Sequence, residues 1–162
     1  MVKTIIWDWN GTLLDDLDLS LESVNILLEE RNLPTLSVER YKDIFCFPII
    51  DYYVNAGFDF EKEAFEVPAK KYVKLYASKA SELKLFPDVV DTLTYFKENN
   101  YRQIVLSAMR DDNLKLMIHN AGISHFFDGI KQFFINNNIA ISLVYKHELN
   151  LLNRNIIIIF FF

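Results

Sequence analysis

Asp8 stands where a β-branched and aromatic run, Ile5-Ile6-Trp7, gives way to Trp9-Asn10-Gly11-Thr12. Burial opposes an ionised carboxylate, so an aspartate at the end of a buried strand needs donors or a cation beside it. Gly11 permits a sharp turn that exposes backbone N–H groups, and Thr12 adds a hydroxyl. Together they form a concave set of donors suited to a phosphate. A carboxylate so placed can attack phosphorus and form an aspartyl-phosphate. The same residues also admit a plainer role, with Asp8 capping a turn. Far along the chain a second polar group stands at a strand end: the apolar run Gln103-Ile104-Val105-Leu106 leads into Ser107.

The elements that must position these groups follow from apolar spacing. Residues 3–8 suit a strand buried on both faces, as in parallel sheets. Leu17, Leu21, Val24 and Leu28 repeat with helical spacing up to Arg31, and Asn32-Leu33-Pro34 stops that helix. Ser37 is the expected N-cap of a short helix containing Val38, Tyr41 and Ile44. Another helix is expected over Ile49 to Asn55, ended by Gly57, and a long one from about Glu61 to Ser81. Residues 17–82 therefore read as nearly all helix. Pro87-Asp88 then opens a helix with Val89, Leu93 and Phe96 facing inward, closed by Asn99-Asn100. After the strand at 103–106, Asp111 or Asp112 caps a helix whose Leu114, Met117, Ile118 and Ala121 share a face, with Gly122 at C′. Strands alternating with helices imply a parallel sheet with right-handed crossovers, and ligands of such sheets bind beyond the carboxyl ends of the strands. Asp8 and Ser107 are both expected at such ends.

Composition narrows the partners. A chain of 162 residues, half of them apolar, supports one core and a small additional unit. A net charge of −5 leaves no basic stripe for nucleic acid, while a small anionic substrate remains compatible with a local site. The single cysteine, Cys46, excludes an internal disulfide and reads as a buried apolar residue. No apolar run reaches the ~20 residues of a membrane helix, and no signal peptide precedes the first strand, so a reducing, cytoplasmic setting is expected. His119, His125 and His147 lack ligand-like spacing, and Asp15, Asp16 and Asp18 read as charges favoured near a helix N-terminus. Tyr52, Tyr53 and Phe58 read as core, Arg40 and Lys42 as surface charge. Beyond Lys131 the chain is crowded with Ile, Asn and Phe and has no clear period, although Ile139–Tyr145 could form a strand and Leu149–Leu152 a helical turn. Read-through or a frameshift after about Ile130 would produce such a tail.

The motif Asp8-Trp9-Asn10-Gly11-Thr12-Leu13-Leu14-Asp15 resembles the D-x-D-G-T-L-x-D signature of haloacid dehalogenase-like hydrolases. Ile104-Val105-Leu106-Ser107 is similar to that family's second motif. The helical stretch between them, with Phe45-Cys46-Phe47-Pro48 and Leu85-Phe86-Pro87, resembles the helical cap of its phosphoglycolate-phosphatase-like branch. The resemblance covers roughly residues 1–130. It implies an α/β, Rossmann-like three-layer sandwich with a parallel sheet, formed by residues 1–16 and 83–162, with 131–162 atypical. It also implies an inserted all-helical cap at 17–82. It further implies a Mg²⁺-dependent phosphatase of small phosphorylated metabolites in which Asp8 is nucleophile and metal ligand. The backbone carbonyl of Asn10 would add a metal contact, Gly11 and Thr12 would cradle the phosphate, and Ser107 with the N–H of Ala108 would hold phosphoryl oxygens.

Two positions depart from the family pattern. Asn10 replaces the aspartate that protonates the leaving oxygen and later activates water, a contribution of roughly 10²–10⁴-fold. The family's lysine and the acidic pair completing its metal site have no recognisable counterpart after Asp128-Gly129-Ile130; Lys131 and Lys146 match by type only. The alternative is therefore a catalytically impaired, phosphate-binding or scaffold protein of the same fold. A receiver-like domain also phosphorylates an aspartate at a strand end, but the helices at 17–82 interrupt the sheet too early for one.

Overall fold

The structure, a computed structural model, describes residues 3–132 and 156–159. The chain divides into two compact units, one formed by residues 1–15 and 84–162 and the other by residues 16–83.

The first unit is built on a four-stranded parallel sheet in the order β5-β4-β1-β6. Strand β1 (Thr4–Trp7) is buried at all four positions, as its β-branched and aromatic residues require. It pairs with β4 (Arg102–Ser107), placing Trp7 opposite Val105. On its other side lies β6 (Ile156–Ile159), with Trp7 opposite Ile159. Strand β5 (Gly129–Gln132) extends the sheet beyond β4 and pairs Gln132 with Ser107. Helix α5 (Val89–Glu98) leads into β4, and α6 (Asp111–Asn120) leaves it. The Rossmann-like α/β architecture with a parallel sheet is thus the one the sequence implied. Strand β5, a short ribbon and β6 were not foreseen. A short antiparallel ribbon pairs β2 (Leu14–Asp15) with β3 (Lys84–Leu85). The compositionally biased tail contributes β6; the strand expected at 139–145 and the turn at 149–152 lie outside the described residues.

A buried amide ties this unit together. Gln103 is wholly buried, and its Oε1 accepts from the Trp7 indole Nε1–H at 3.0 Å while its Nε2 donates to the Leu93 carbonyl at 2.9 Å. Its backbone N–H donates to the Asp128 carboxylate at 2.9 Å, and the Asp128 N–H donates to the Gln103 carbonyl at 2.8 Å. An amide that satisfies its groups in this way fixes β1, β4 and α5 against one another at little desolvation cost.

Among its described elements the second unit is helical: α1 (Leu17–Glu29), α2 (Val38–Ile44), α3 (Ile49–Asn55) and α4 (Glu66–Lys79), followed by one 3₁₀ turn. Ser37 caps α2 as expected, accepting from the Arg40 N–H at 3.2 Å. The buried stripe of α1 is Leu19, Ser20, Ser23, Val24, Leu27 and Leu28, whereas Leu17 and Leu21 are half-buried. Small serines admit close packing, and a count of apolar residues misses them. Helix α4 begins later than expected because Pro68 is tolerated only in a first turn. Tyr52, Tyr53 and Phe58 lie in the core with Val24, Leu27 and Leu28. Burial pushes the phenols of Tyr52 and Tyr53 upward and that of Tyr72 up to about 12. Asp16, expected as a charge near a helix start, stands at the N-cap position of α1, where it is buried and accepts from the Tyr76 hydroxyl at 2.8 Å. Cys46 is half-buried against the core, with the Asn55 amide 3.6 Å from its sulfur. Arg40 is exposed and paired with Asp43. No helix among the described residues is long and apolar enough to cross a membrane.

Candidate active site

Asp8 follows the last residue of β1 and is half-buried. The turn after it closes on itself. The Trp9 carbonyl accepts from the N–H groups of Thr12, Leu13 and Leu14 at 3.3, 3.0 and 2.9 Å, and the Gly11 N–H donates to the Leu14 carbonyl at 3.0 Å. Gly11 takes φ 69, a left-handed value that favours glycine. Trp9 beneath the turn is fully buried. Within this turn the Gly11 and Thr12 N–H groups donate to backbone carbonyls. The Thr12 side chain is buried, and Asn10, half-buried, forms a bridge with Leu14.

Ser107 ends the neighbouring strand two residues beyond Val105, the ladder partner of Trp7. Its side chain is buried, and its Oγ accepts from the Met109 N–H at 3.2 Å. A hydroxyl that accepts in this way keeps its own hydrogen to donate elsewhere. Ala108 is exposed. The carboxyl ends of two adjacent parallel strands thus bring a carboxylate and a hydroxyl to the same edge of the sheet, beside the point where the strand order reverses about β1.

Asp111 and Asp112 do not cap α6. The N-cap position is Arg110, which makes no side-chain cap bond, and both aspartates lie in the first turn. Arg110 holds Asp112 at 2.6 Å and, with the Asn113 N–H, keeps its carboxyl below the ordinary range. Asp111 pairs with Lys115. The Asp111 N–H donates instead to Oε1 of Gln132 at 3.1 Å, across from β5. Gln132 is the residue the sequence reading missed; no local pattern marks it, because its partner lies on another strand connection.

Among the described residues no group of three or more His, Cys, Asp or Glu gathers around a point. Asp8 with the Asn10 carbonyl is a sparse oxygen set, and such a set fits Mg²⁺, which takes one or two carboxylates and completes its shell with waters and substrate phosphate. Lys131, His119 and His125 are exposed; Lys146 and His147 lie outside the described residues.

A family model described as haloacid dehalogenase-like hydrolase matches residues 5–134. Solved structures of similar fold include a haloacid dehalogenase-like hydrolase from Streptococcus pneumoniae, with TM-score 0.72 and 21% identity over 97% of this chain and 74% of that one. A predicted phosphoglycolate phosphatase from Haemophilus somnus gives 0.68 and 20% over 97% and 76%. A haloacid dehalogenase-like hydrolase from Bacteroides fragilis gives 0.79 and 16% over 98% and 78%. At these identities the likeness is one of fold. No curated protein matches the sequence.

Proposed function

The chain belongs to the haloacid dehalogenase-like hydrolase family, and from that membership we propose that it hydrolyses phosphate esters of small metabolites through Asp8. The observation that carries the reading is the placement of Asp8 and Ser107 at the carboxyl ends of adjacent parallel strands. In this reading an Asp8 oxygen attacks phosphorus, the bond to the leaving oxygen breaks, and an aspartyl-phosphate forms for water to cleave. The Ser107 hydroxyl and the Ala108 N–H hold the phosphoryl oxygens, and Thr12 contributes through its hydroxyl. Asp8 and the Asn10 carbonyl would hold Mg²⁺. The ion supplies neutralisation of charge on the transferring group when bound.

Asn10 shapes the substrate range. Its amide donates a hydrogen bond to a leaving oxygen but gives it no proton, so esters with good leaving groups are the better substrates. The same residue favours a second reading, a phosphate-binding module that turns over little or not at all. The test is hydrolysis of p-nitrophenyl phosphate and phosphoglycolate with and without Mg²⁺. The phosphatase reading expects Mg²⁺-dependent turnover of the aryl ester that Asp8→Ala abolishes. Saturable binding of inorganic phosphate with no turnover of either ester would favour the second.

A further inference from the structure

Gln132 ends β5 beside Ser107, its ladder partner at the end of β4. The segment from Ser107 to the first turn of α6 is pinned at two points. Inside, the Met109 N–H donates to Ser107 Oγ; outside, the Asp111 N–H donates to Gln132 Oε1 at 3.1 Å. The orientation of the Gln132 amide is fixed by its partner, since an N–H can be met only by the oxygen. Asp111 lies in a first turn, where backbone N–H groups have no partner within the helix, and Arg110 supplies no side-chain cap. The Asp111 N–H at this end of α6 is thus met from a neighbouring strand, while the Asn113 N–H is met by the Asp112 carboxylate.

We propose that Gln132 is a positioning residue for phosphoryl binding: by holding the Asp111 N–H it fixes the 107–111 segment in the conformation that presents Ser107 and Ala108. The inference rests on the reading of Ser107 and Ala108 as phosphoryl-holding groups. A segment already held in its binding conformation need not be ordered by the ligand, and the saving appears as affinity. Without the Gln132 oxygen, substrate binding itself must order the segment. The loss therefore falls on ligand affinity and KM more than on the amount of folded protein.

The probe is inorganic phosphate, titrated into the full chain while the amide signals of Ser107, Ala108 and Met109 are followed by NMR. Gln132→Met keeps the length of the side chain and removes the acceptor. The expected result is a saturable response in the original chain and about tenfold weaker binding in Gln132→Met, the scale of one hydrogen bond. Gln132→Asn, too short to reach Asp111, should behave likewise and serves if the methionine variant fails to fold. In both, the Asp111 amide should lose protection from hydrogen exchange, and KM for p-nitrophenyl phosphate should rise more than kcat falls. Unchanged phosphate affinity in a folded variant whose Asp111 amide exchanges freely would overturn the inference and leave the functional reading standing. Absence of any response at the three amides in the original chain would overturn the functional reading, and the inference with it.

Discussion

The loops after β1 and β4 leave the same end of the sheet but differ in how they are held. The β1 loop folds back on itself: one carbonyl, that of Trp9, gathers three N–H groups, and Gly11 supplies the left-handed residue that lets the chain turn, while the Leu13 carbonyl accepts from the Phe86 N–H at 3.2 Å. The β4 loop makes an internal bond, from the Met109 N–H to Ser107 Oγ, and is held further along by an amide carried on β5. A turn closed in this way fixes the chain beside Asp8 and uses the Gly11 and Thr12 N–H groups in doing so. In the β4 loop the Ser107 hydroxyl accepts from Met109 and keeps its own hydrogen to donate. In the proposed reading this difference places the chemistry at Asp8 and phosphoryl recognition chiefly at the Ser107 end.

The largest expected effect probes the chemical side. Asn10→Asp restores a proton-exchanging group beside Asp8, and kcat on esters with poor leaving groups should rise by roughly 10²-fold or more. The gain on p-nitrophenyl phosphate should be much smaller, so the ratio of the two rates is the measurement. Next is the recognition side. Ser107→Ala removes a hydrogen bond to a charged group, expected to cost about 10–100-fold in kcat/KM. Equal damage from Thr12→Val and Ser107→Ala would break the division of labour between the loops. Smallest is the conformational cost of the closed turn. Gly11→Ala forces a side chain into the left-handed region and should lower stability by about 1–2 kcal/mol in denaturant unfolding. The Asp111 amide should keep its exchange protection in that variant, because the β4 loop is held independently.

The same contrast explains what the sequence made legible. Asp8, Gly11 and Ser107 are legible because each is marked locally: a buried strand, a turn residue, then a polar group at the strand end. The helices were found because their caps and breakers are also local, as with Ser37, Asn100 at φ 59 and Gly122 at φ 74. Features set by distant partners escaped. Which N–H groups Trp9 would collect depends on the closed turn, Gln132 acts across a strand pairing, and the hydroxyl that donates to Asp16 comes from Tyr76, sixty residues later in the chain. Strand β6 was invisible for another reason. Four isoleucines in a compositionally biased tail carry no period, and only pairing with β1 makes them a strand.

The most direct test of the proposed role of Asp8 is intact-mass analysis of the full chain during turnover of p-nitrophenyl phosphate with Mg²⁺. A hydroxylamine-labile phosphoryl adduct should appear and map to Asp8, accumulating because Asn10 activates water poorly for the second step. Asn10→Asp should shorten its lifetime, and Asp8→Ala should abolish it. Turnover that persists in a folded Asp8→Ala variant, with no adduct on Asp8 in the original chain, would contradict the assignment of the nucleophile.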